Sequence, residues 1–569
     1  MVKKVLNIFN REFGTSQAAM LLAVFAFLAQ ILGLVRDRSL AHFIGPSTTL
    51  DIYYAAFRVP DFIYVVVASL VSITVLIPFL MDKMNKGEGN EVRAKKFLND
   101  IFSVFLLFII AVSIVAFLSM PWIAHNIAPG FKEESYHHMI ILSRIMLLSP
   151  ILLGISNLIG CVTQIFGKFF IFALSPLFYN LGIVFGIVFL YPRMGLYGLG
   201  LGVVLGAILH LLIQVPAIIK SKLIPKFSLN IDWSEVKKVI TVSLPRTLGL
   251  SLNNLALIAI ISFASFMKEG SISIFNLSFG LQSVPVTVIG LSYAVASFPS
   301  LVKQFNQEYK FKFIEHLTFV CRQIIFWSLP ATLLFIVLRA QIVRVVLGSG
   351  SFSWANTRLT AAALALFAVS LLAQNLILTL VRGYYAASNT RRPLLINFIS
   401  SVLIIIFAQV LIYLFNAFPL FRYFMESLFR ISDIPGTEII MLPLAYSLGT
   451  ILNLILLLYF FKKDFSYLIN AECSPVRSGF LRKNIFKNLA SSLIMGYVAY
   501  IFLGIFARSF NLETFWGIFG QGFFAGIVGI LAGIVVLKLL GSPELDSTVN
   551  TIKSKFWKAK VVIPIQQDL

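Results

Sequence analysis

The chain has 569 residues, of which 59% are hydrophobic and only 12% are charged, and its mean hydropathy is +0.91. Soluble domains carry about a quarter charged residues, so this composition excludes a soluble globular protein and indicates a polytopic membrane protein. The formal net charge of +22 is explained below by the distribution of lysine and arginine around the apolar segments.

About fourteen apolar segments are predicted to cross the membrane as helices, because a spanning helix needs about 20 mainly apolar residues. In chain order they cover 17–35, 50–81, 98–124, 137–164, 169–191, 195–219, 239–266, 272–301, 314–338, 359–386, 393–415, 438–461, 488–507 and 514–537. The predicted fold class is therefore an all-α polytopic membrane protein. Within the insertion 416–436, the pattern from Phe421 to Arg430 fits either a short interfacial helix or a plain loop.

Lysine and arginine are distributed unevenly between the two sides of these spans. With the N-terminus placed inside, the inner segments hold 30 of the 46 lysines and arginines and the outer loops hold 11. This excess is the positive-inside signal, so both termini are predicted to be cytoplasmic. The basic residues then face anionic lipid of the inner leaflet, and no nucleic-acid partner is predicted.

Three short segments of the chain are similar to segments that lie about six predicted spans later, and the distance between the paired segments is nearly constant. They are Pro176–Asn180 with Pro393–Asn397, 122–130 with 342–350, and Pro78 with Pro299. A repeat of six spans predicts two six-helix lobes in the same orientation, related by a pseudo-two-fold axis along the membrane normal. The predicted division is 1–222 for the N-terminal lobe, 223–463 for the C-terminal lobe, and 464–569 for two additional helices and a cytoplasmic tail. Chance similarity between apolar helices is the alternative.

The first two predicted spans contain an unusual number of charges. Arg36 and Asp37 end the first span, Asp51 opens the second, and Arg58 follows Asp51 by two helical turns on the same face. Charges within spanning helices are costly, so they usually face a watery cavity or a polar partner. Pro60 is predicted to break the second helix and to free backbone groups that the protein must satisfy.

The same stretch resembles a known family. Residues 33–38 read G-L-V-R-D-R, 43–46 read F-I-G-P and 51–63 read D-I-Y-Y-A-A-F-R-V-P-D-F-I. These motifs resemble the signature of the MurJ (MviN) lipid II flippases, within the multidrug/oligosaccharidyl-lipid/polysaccharide exporter superfamily, and 270–301 resembles the same family. The resemblance implies a bacterial inner-membrane transporter whose lobes rock about a central cationic cavity. Its substrate would be lipid II, the undecaprenyl-pyrophosphate-linked peptidoglycan precursor.

The resemblance also implies a set of substrate-binding residues. Arg36 aligns with an arginine of the family's cavity, and Asp51 aligns with the family's aspartate that opens the second span. We expect both to line the cavity, where guanidinium groups suit a pyrophosphate because they stay charged and bind oxygens bidentately. Arg58 would extend this polar stripe inward. Gln30 stands where the family has an arginine, and Arg246, after a proline in the seventh span, is the candidate replacement.

Each of these charged residues has a plain structural interpretation as well. Arg36 could anchor a helix end by snorkelling, and Asp51 could be favoured by the dipole at a helix N-terminus. Arg58 could pair with Asp61, and Arg246 could extend to the inner surface. On the residues alone, these alternatives stay open.

Two further departures from the family leave the substrate open. Tyr64 and Gly280 also replace arginines of the family's cavity, so another lipid-linked glycan or a small molecule is an alternative cargo. A second alternative is a transport-inactive membrane scaffold that recruits cell-wall synthesis proteins.

The remaining chemistry-bearing residues predict no enzyme. The three cysteines and six histidines are scattered without metal-ligand or catalytic spacing, so neither a metal site nor a cofactor is predicted. The seventh and eleventh spans contain no aspartate or glutamate, which argues against a sodium site there. Any driving energy would come from the membrane potential, an ion or a substrate gradient.

Overall fold

The computed structural model describes residues 15–70, 73–85, 90–221, 223–305, 311–466 and 480–557. Nearly all of these residues are helical, and this part of the chain contains no strand. The helices run in chain order as α1 Thr15–Phe43, α2 Thr48–Leu70, α3 Ile73–Asn85, α4 Asn90–Leu118, α5 Met120–Ile127, α6 Glu133–Met146, α7 Leu148–Ile165, α8 Phe169–Phe185, α9 Tyr191–Met194, α10 Leu196–Leu212, α11 Val215–Ser221, α12 Trp233–Ser265, α13 Ser271–Pro285, α14 Ser292–Phe305, α15 Phe311–Val337, α16 Arg339–Leu347, α17 Trp354–Ala368, α18 Leu371–Ala386, α19 Arg391–Ala417, α20 Pro419–Phe429, α21 Met441–Asp464, α22 Phe480–Phe506, α23 Phe515–Leu539 and α24 Pro543–Trp557. Short π-helical turns at Gly186–Leu190 and Val286–Leu291 follow α8 and α13, and a 3-10 turn at Thr437–Ile440 precedes α21.

Eleven helical segments of the described residues are long and apolar enough to span a membrane, and they become twelve if the bent pair α17 and α18 is one span. The predicted count of about fourteen is therefore not reproduced. Helix α1, and α2 with α3, occupy the positions of the first two predicted spans but are not among these twelve. They carry the charged side chains between Arg36 and Asp61.

The predicted break at Pro60 is wrong, because α2 continues through it from Thr48 to Leu70. A proline in a helix leaves the carbonyl of the residue four positions earlier without its usual N–H donor. Here that carbonyl belongs to Ala56, and it accepts a hydrogen bond from the hydroxyl of Ser143 on α6 at 3.2 Å. A neighbouring helix thus satisfies the freed group, and the helix does not need to break.

Helices α8 and α10 pack unusually closely along a line of glycines. A Cβ atom added to Gly202 would lie 2.6 Å from the Cα atom of Gly186. One added to Gly206 would collide with the carbonyl oxygen of Tyr179. Small residues let membrane helices approach at backbone distance, so this pair forms one closely fitted hairpin.

The described helices divide into two compact units. The first lies within Met1–Val284, Val346–Phe367 and Ser388–Leu456. Its interior includes an aromatic cluster on one side of α13, in which Phe275 packs against Phe367 with ring centres 5.3 Å apart and Phe279 against Tyr446 at 5.5 Å. These ring contacts fix the helix that contributes to the candidate site.

The second unit lies within Pro285–Val345, Ala368–Ala387 and Leu457–Leu569. In it α22 and α23, which correspond to the last two predicted spans, form a hairpin. The Ser491 hydroxyl donates to the carbonyl of Gly533 at 2.8 Å, and the Gln521 amide donates to the carbonyl of Leu503 at 2.9 Å. Polar side chains within these apolar helices are thus satisfied by the partner helix.

Candidate functional site

Three helices of the first unit enclose a cavity of about 200 Å³. Helix α1 contributes an arginine–aspartate pair to the cavity, and α2 contributes the residues of its central turns. Helix α13 forms the opposite wall. The lining residues are Arg36, Asp37, Leu40, Tyr53, Tyr54, Phe57, Arg58, Asp61, Asn276, Phe279 and Gly280. Two arginines and two aspartates therefore meet in one small space, and their formal charges balance.

The guanidinium of Arg36 is held from two sides. Its Nε and Nη2 atoms donate to the same oxygen, Oδ1 of Asp37, at 3.0 and 2.8 Å. Its Nη1 atom donates to Oδ1 of Asn180 on α8 at 3.3 Å. The amide of Asn180 is itself oriented, because its Nδ2 donates to the carbonyl of Pro176 at 3.0 Å. Arg36 is thus fixed in the cavity wall, and the sequence prediction that it faces a polar cavity agrees with this geometry.

Arg58 contacts the opposite wall. Its Nη2 atom donates to Oδ1 of Asn276, and Asn276 is oriented by donating from Nδ2 to the carbonyl of Ile272 at 2.7 Å. The Nε atom of Arg58 is buried and has no hydrogen-bond partner among the described residues. A buried donor without a partner is costly, so a small movement of the Arg58 side chain that let this atom meet an oxygen would be favourable.

Asp51 lies apart from the cavity, although the sequence suggested it as a lining residue. Its carboxylate accepts from the main-chain N–H groups of Gly270 and Ser273, both at 2.7 Å, and from the Ser273 hydroxyl at 2.5 Å. Only 4% of its surface is exposed. These donors lie at the start of α13, so Asp51 caps that helix, and its negative charge complements the positive end of the helix dipole.

Gln30 also lies away from the lining residues. Its Nε2 atom donates to the hydroxyl of Ser283 at 3.4 Å, and that hydroxyl donates to the carbonyl of Gly280 at 2.7 Å. Gln30 therefore contacts the helix that forms the cavity wall and not the cavity itself. The side chain of Arg246, the proposed replacement arginine, lies outside the described residues, although its backbone belongs to α12.

The two other departures from the family have clear local surroundings. The hydroxyl of Tyr64 accepts a hydrogen bond from Asn157 at 2.7 Å. Gly280 leaves room for its neighbour, since a Cβ atom there would lie 2.9 Å from Oδ2 of Asp37. An arginine at either place would have to displace the present contacts.

Sequence reasoning missed the two asparagines that orient the arginines. Asn180 ends one of the repeated segments, and Asn276 lies in the second stretch that resembles the family. The repeat and the resemblance could therefore have pointed to these two asparagines. An asparagine within an apolar helix is a polar group that needs a partner, and each of these asparagines finds an arginine more than a hundred residues away. No group of three or more metal-ligating side chains occurs in the part of the chain that the structure describes.

Long apolar helices that enclose charged side chains in a cavity define a multi-span membrane protein of the transporter type. Solved structures share this fold. A "Lipid II flippase MurJ, inward closed conformation" superposes with a TM-score of 0.70 at 22% identity, covering 93% of this chain and all of that one. An inward-facing multidrug resistance MATE family transporter of the MOP superfamily superposes with a TM-score of 0.63 at 14% identity, covering 80% of this chain and all of the other.

Sequence comparisons then identify the family. The family model described as "Lipid II flippase MurJ" matches residues 40–520. The probable lipid II flippase MurJ of Aquifex aeolicus (strain VF5) is 28% identical over 411 residues, which cover 71% of this chain and 80% of that protein. The lipid II flippase MurJ of Burkholderia cenocepacia is 25% identical over 386 residues, covering 66% of this chain and 74% of the relative. This chain belongs to the lipid II flippase MurJ family.

Proposed function

We propose that this protein carries lipid II, the lipid-linked peptidoglycan precursor, from the inner to the outer leaflet of the cytoplasmic membrane. The observation that carries this proposal is the pair of arginines, Arg36 and Arg58, lining one cavity in a member of the MurJ family. A pyrophosphate is the part of lipid II that needs such a site, because guanidinium groups bind its oxygens bidentately.

The contacts of the lining residues suggest how the pyrophosphate would bind. Asp37 presents one carboxylate oxygen to two nitrogens of Arg36, which is where a phosphate oxygen would sit. The substrate would therefore exchange with Asp37, while Nε of Arg58 has no partner to give up. Without substrate, Asp37 and Asp61 balance the two arginines, so that the protein does not bury uncompensated positive charge.

Alternating access would use contacts near the two ends of the second predicted span. At one end, Asp51 on α2 binds the start of α13. At the other end, Lys83 on α3 forms an ion pair of 2.9 Å with Glu235 on α12. In each contact a residue of the proposed N-terminal lobe, 1–222, meets one of the proposed C-terminal lobe, 223–463. Rocking of the lobes would break one contact at a time and expose the cavity to one side of the membrane.

The proposal includes the orientation and the role of the remaining helices. We place both termini in the cytoplasm, because of the excess of inner lysine and arginine. The segment 464–569 lies outside the six-span repeat, and the family resemblance supports an apolar groove there for the lipid tail. We also propose that cell-wall synthesis proteins are partners of this protein. The proposed transport involves no enzymatic step.

Complementation tests the proposal directly. A cell depleted of its own lipid II flippase should grow when it expresses this chain, and the Arg36→Ala variant should fail to support growth at equal membrane abundance. Purified protein in vesicles should move fluorescent lipid II between leaflets. Growth supported by a transport-inactive Arg36→Ala variant would favour the scaffold role instead.

A different lipid-linked cargo is the second candidate. The balanced charge of the cavity and the uncharged groups at Gln30, Tyr64 and Gly280 favour it, since they leave fewer cations than the family resemblance implies. In that case wild-type protein would fail to complement but would still bind a polyprenyl pyrophosphate lacking the peptidoglycan sugars.

A further inference from the structure

Helix α20, Pro419–Phe429, presents an apolar face to its surroundings. Leu420 is 84% exposed, Tyr423 63%, Phe424 61% and Leu428 55%, and their spacing of three or four residues places them on one side of the helix. Ser427, small and exposed, lies among them. The opposite side is buried and contains the only carboxylate of the helix, Glu426, at 3% exposure. A helix surrounded by water would have the reverse arrangement.

The buried carboxylate is satisfied within the protein. Oε1 of Glu426 accepts from the hydroxyl of Thr437 at 2.6 Å and from Nε of Arg422 at 2.9 Å. Met425 packs beside it at 5% exposure. The inward side of α20 is therefore docked by specific contacts, so its outward side has a defined direction.

The C-terminal end of α20 is held as well. Arg430 adopts a left-handed conformation with φ of 56°, and the N–H of Ile431 donates to the carbonyl of Glu426 at 2.9 Å, which closes the helix in a Schellman motif. Arg358 on α17 donates to the carbonyl of Arg430 and to both carboxylate oxygens of Asp433, at 2.7 and 2.6 Å. This bidentate pair is a strong, directional contact, so α20 cannot rotate its apolar face inward.

The position of α20 in the chain shows what its exposed face can contact. Only Phe418 separates α20 from α19, a spanning segment with Arg391 and Arg392 at its other end. Three residues cannot extend beyond roughly 11 Å, so Leu420 lies within that distance of the end of the spanning helix. The interfacial layer of a bilayer is itself about 5–8 Å deep on each side.

We propose that α20 is a rigid interfacial helix that lies in the bilayer surface, with Leu420, Phe424 and Leu428 buried at the boundary of the acyl chains. Tyr423 suits the same depth, because its ring is apolar and its hydroxyl polar. Arg430 is exposed and would meet the phosphate groups of anionic lipid, while the one acidic residue of the helix is buried and paired with Arg422. The arrangement matches that of helices which lie on membranes.

Such an anchor would fix the depth at which the chain re-enters the membrane. The residues after α20 continue through the turn at Thr437–Ile440 into the spanning segment Thr437–Asp464. The Thr437 hydroxyl donates a hydrogen bond to Glu426 of α20. This hydrogen bond connects the start of the spanning segment to the interfacial helix. Contact of α20 with the bilayer does not depend on lipid II as the cargo.

Spin labels test the proposal in the full chain. Single cysteines at Leu420, Phe424 and Leu428, and at the exposed loop residue Ser432, would be placed in a variant without the native cysteines. The protein would be reconstituted in vesicles of phosphatidylethanolamine and phosphatidylglycerol, and each label probed with oxygen, which concentrates in lipid, and with an aqueous nickel chelate. We expect the three helix positions to be several-fold more accessible to oxygen than to nickel, and the opposite at Ser432.

Two results would overturn the inference. Preferential access of nickel to the labels at Leu420 and Phe424 would mean that the face is in water. Immobilised labels with access to neither reagent would mean that another protein or a second copy of this chain covers the face. All of the substituted positions are exposed, so the variants keep the contacts of Glu426 and Arg358 that hold the helix.

Discussion

Gly130 lies directly against Ser265: the N–H of Gly130 donates to the Ser265 hydroxyl at 3.0 Å, and a Cβ atom on the glycine would collide with the serine's carbonyl oxygen. The same relationship recurs 220 residues later. A Cβ atom on Gly350 would collide with the carbonyl oxygen of His42, which accepts from the N–H of Ser351 at 3.0 Å. Each proposed lobe thus extends a glycine-containing loop to the end of the other lobe's first helix. The division into two related lobes itself stays a prediction from the sequence.

The first prediction concerns this pair of contacts. Gly130→Ala and Gly350→Ala should each destabilise the protein by roughly 1–3 kcal/mol, because the added methyl group forces two backbones apart. Gly504→Ala is the matched control, since nothing lies within 4 Å of a Cβ atom at that position. Thermal unfolding in detergent measures the effect, and two alanine variants as stable as the control would contradict the close approach.

Arg36 gives the second prediction. Arg36→Ala should reduce lipid II transport by roughly ten- to a hundred-fold, the loss expected for a hydrogen bond to a charged group. Arg36→Lys should recover only part of it, because an ammonium cannot offer two nitrogens to neighbouring oxygens. Arg38→Lys is the control, since Arg38 lies two residues further on the same helix and donates to the carbonyl of Val346. Equal transport by Arg36→Ala and wild type would remove Arg36 from the site.

The third prediction concerns the cap made by Asp51. Asp51→Ala should weaken the contact with α13 by about 1–2 kcal/mol, as loss of a good N-cap does, and so favour opening of that end. A reporter cysteine at Phe57, which lines the cavity, should then react faster with a reagent added outside. Ser273→Ala removes one of the three hydrogen bonds and should have a smaller effect. An unchanged labelling rate in Asp51→Ala would show that this contact does not gate access.

The fourth prediction concerns the opposite end of the same span. Lys83→Ala should raise the labelling of the Phe57 cysteine by reagent on the inner side, since it removes the partner of Glu235 on a different helix. The expected energy is small, roughly 0.5–1 kcal/mol, because both side chains are partly exposed. Lys238→Ala is the control, as Lys238 also pairs with Glu235 but lies on the same helix. Equal labelling rates in Lys83→Ala and Lys238→Ala would show that the ion pair between the two helices does not control access from the inner side.

Orientation is the fifth prediction. In a background without native cysteines, a cysteine at Ser432 should react with an impermeant reagent applied to whole cells. A cysteine at Lys226, in the loop before α12, should react only after the membrane is opened. Both positions are exposed, so burial cannot explain a difference. The reverse pattern would contradict the orientation derived from lysine and arginine.

The sequence predicts features that depend on local pattern. Apolar length indicates the spanning helices, and the cost of buried charge indicates that Arg36 and Arg58 face a shared cavity. It does not predict features that depend on a distant partner. The continuity of α2 at Pro60 requires Ser143 on another helix, and Asp51 binds main-chain groups more than two hundred residues away. The predicted count of about fourteen spans is not confirmed, since eleven or twelve segments of the described residues are long and apolar enough to span a membrane.

The cap at the start of α13 has a consequence for how this contact appears across related sequences. Asp51 binds the amides of residues 270 and 273, and a main-chain N–H is supplied by every amino acid except proline. Position 273 can therefore change its side chain and keep the main-chain bond while losing only the hydroxyl bond, whereas position 270 favours glycine because its φ is 91°. Covariation between position 51 and positions 270 and 273 is therefore expected to be weak, because two of the three hydrogen bonds to Asp51 come from main-chain N–H groups.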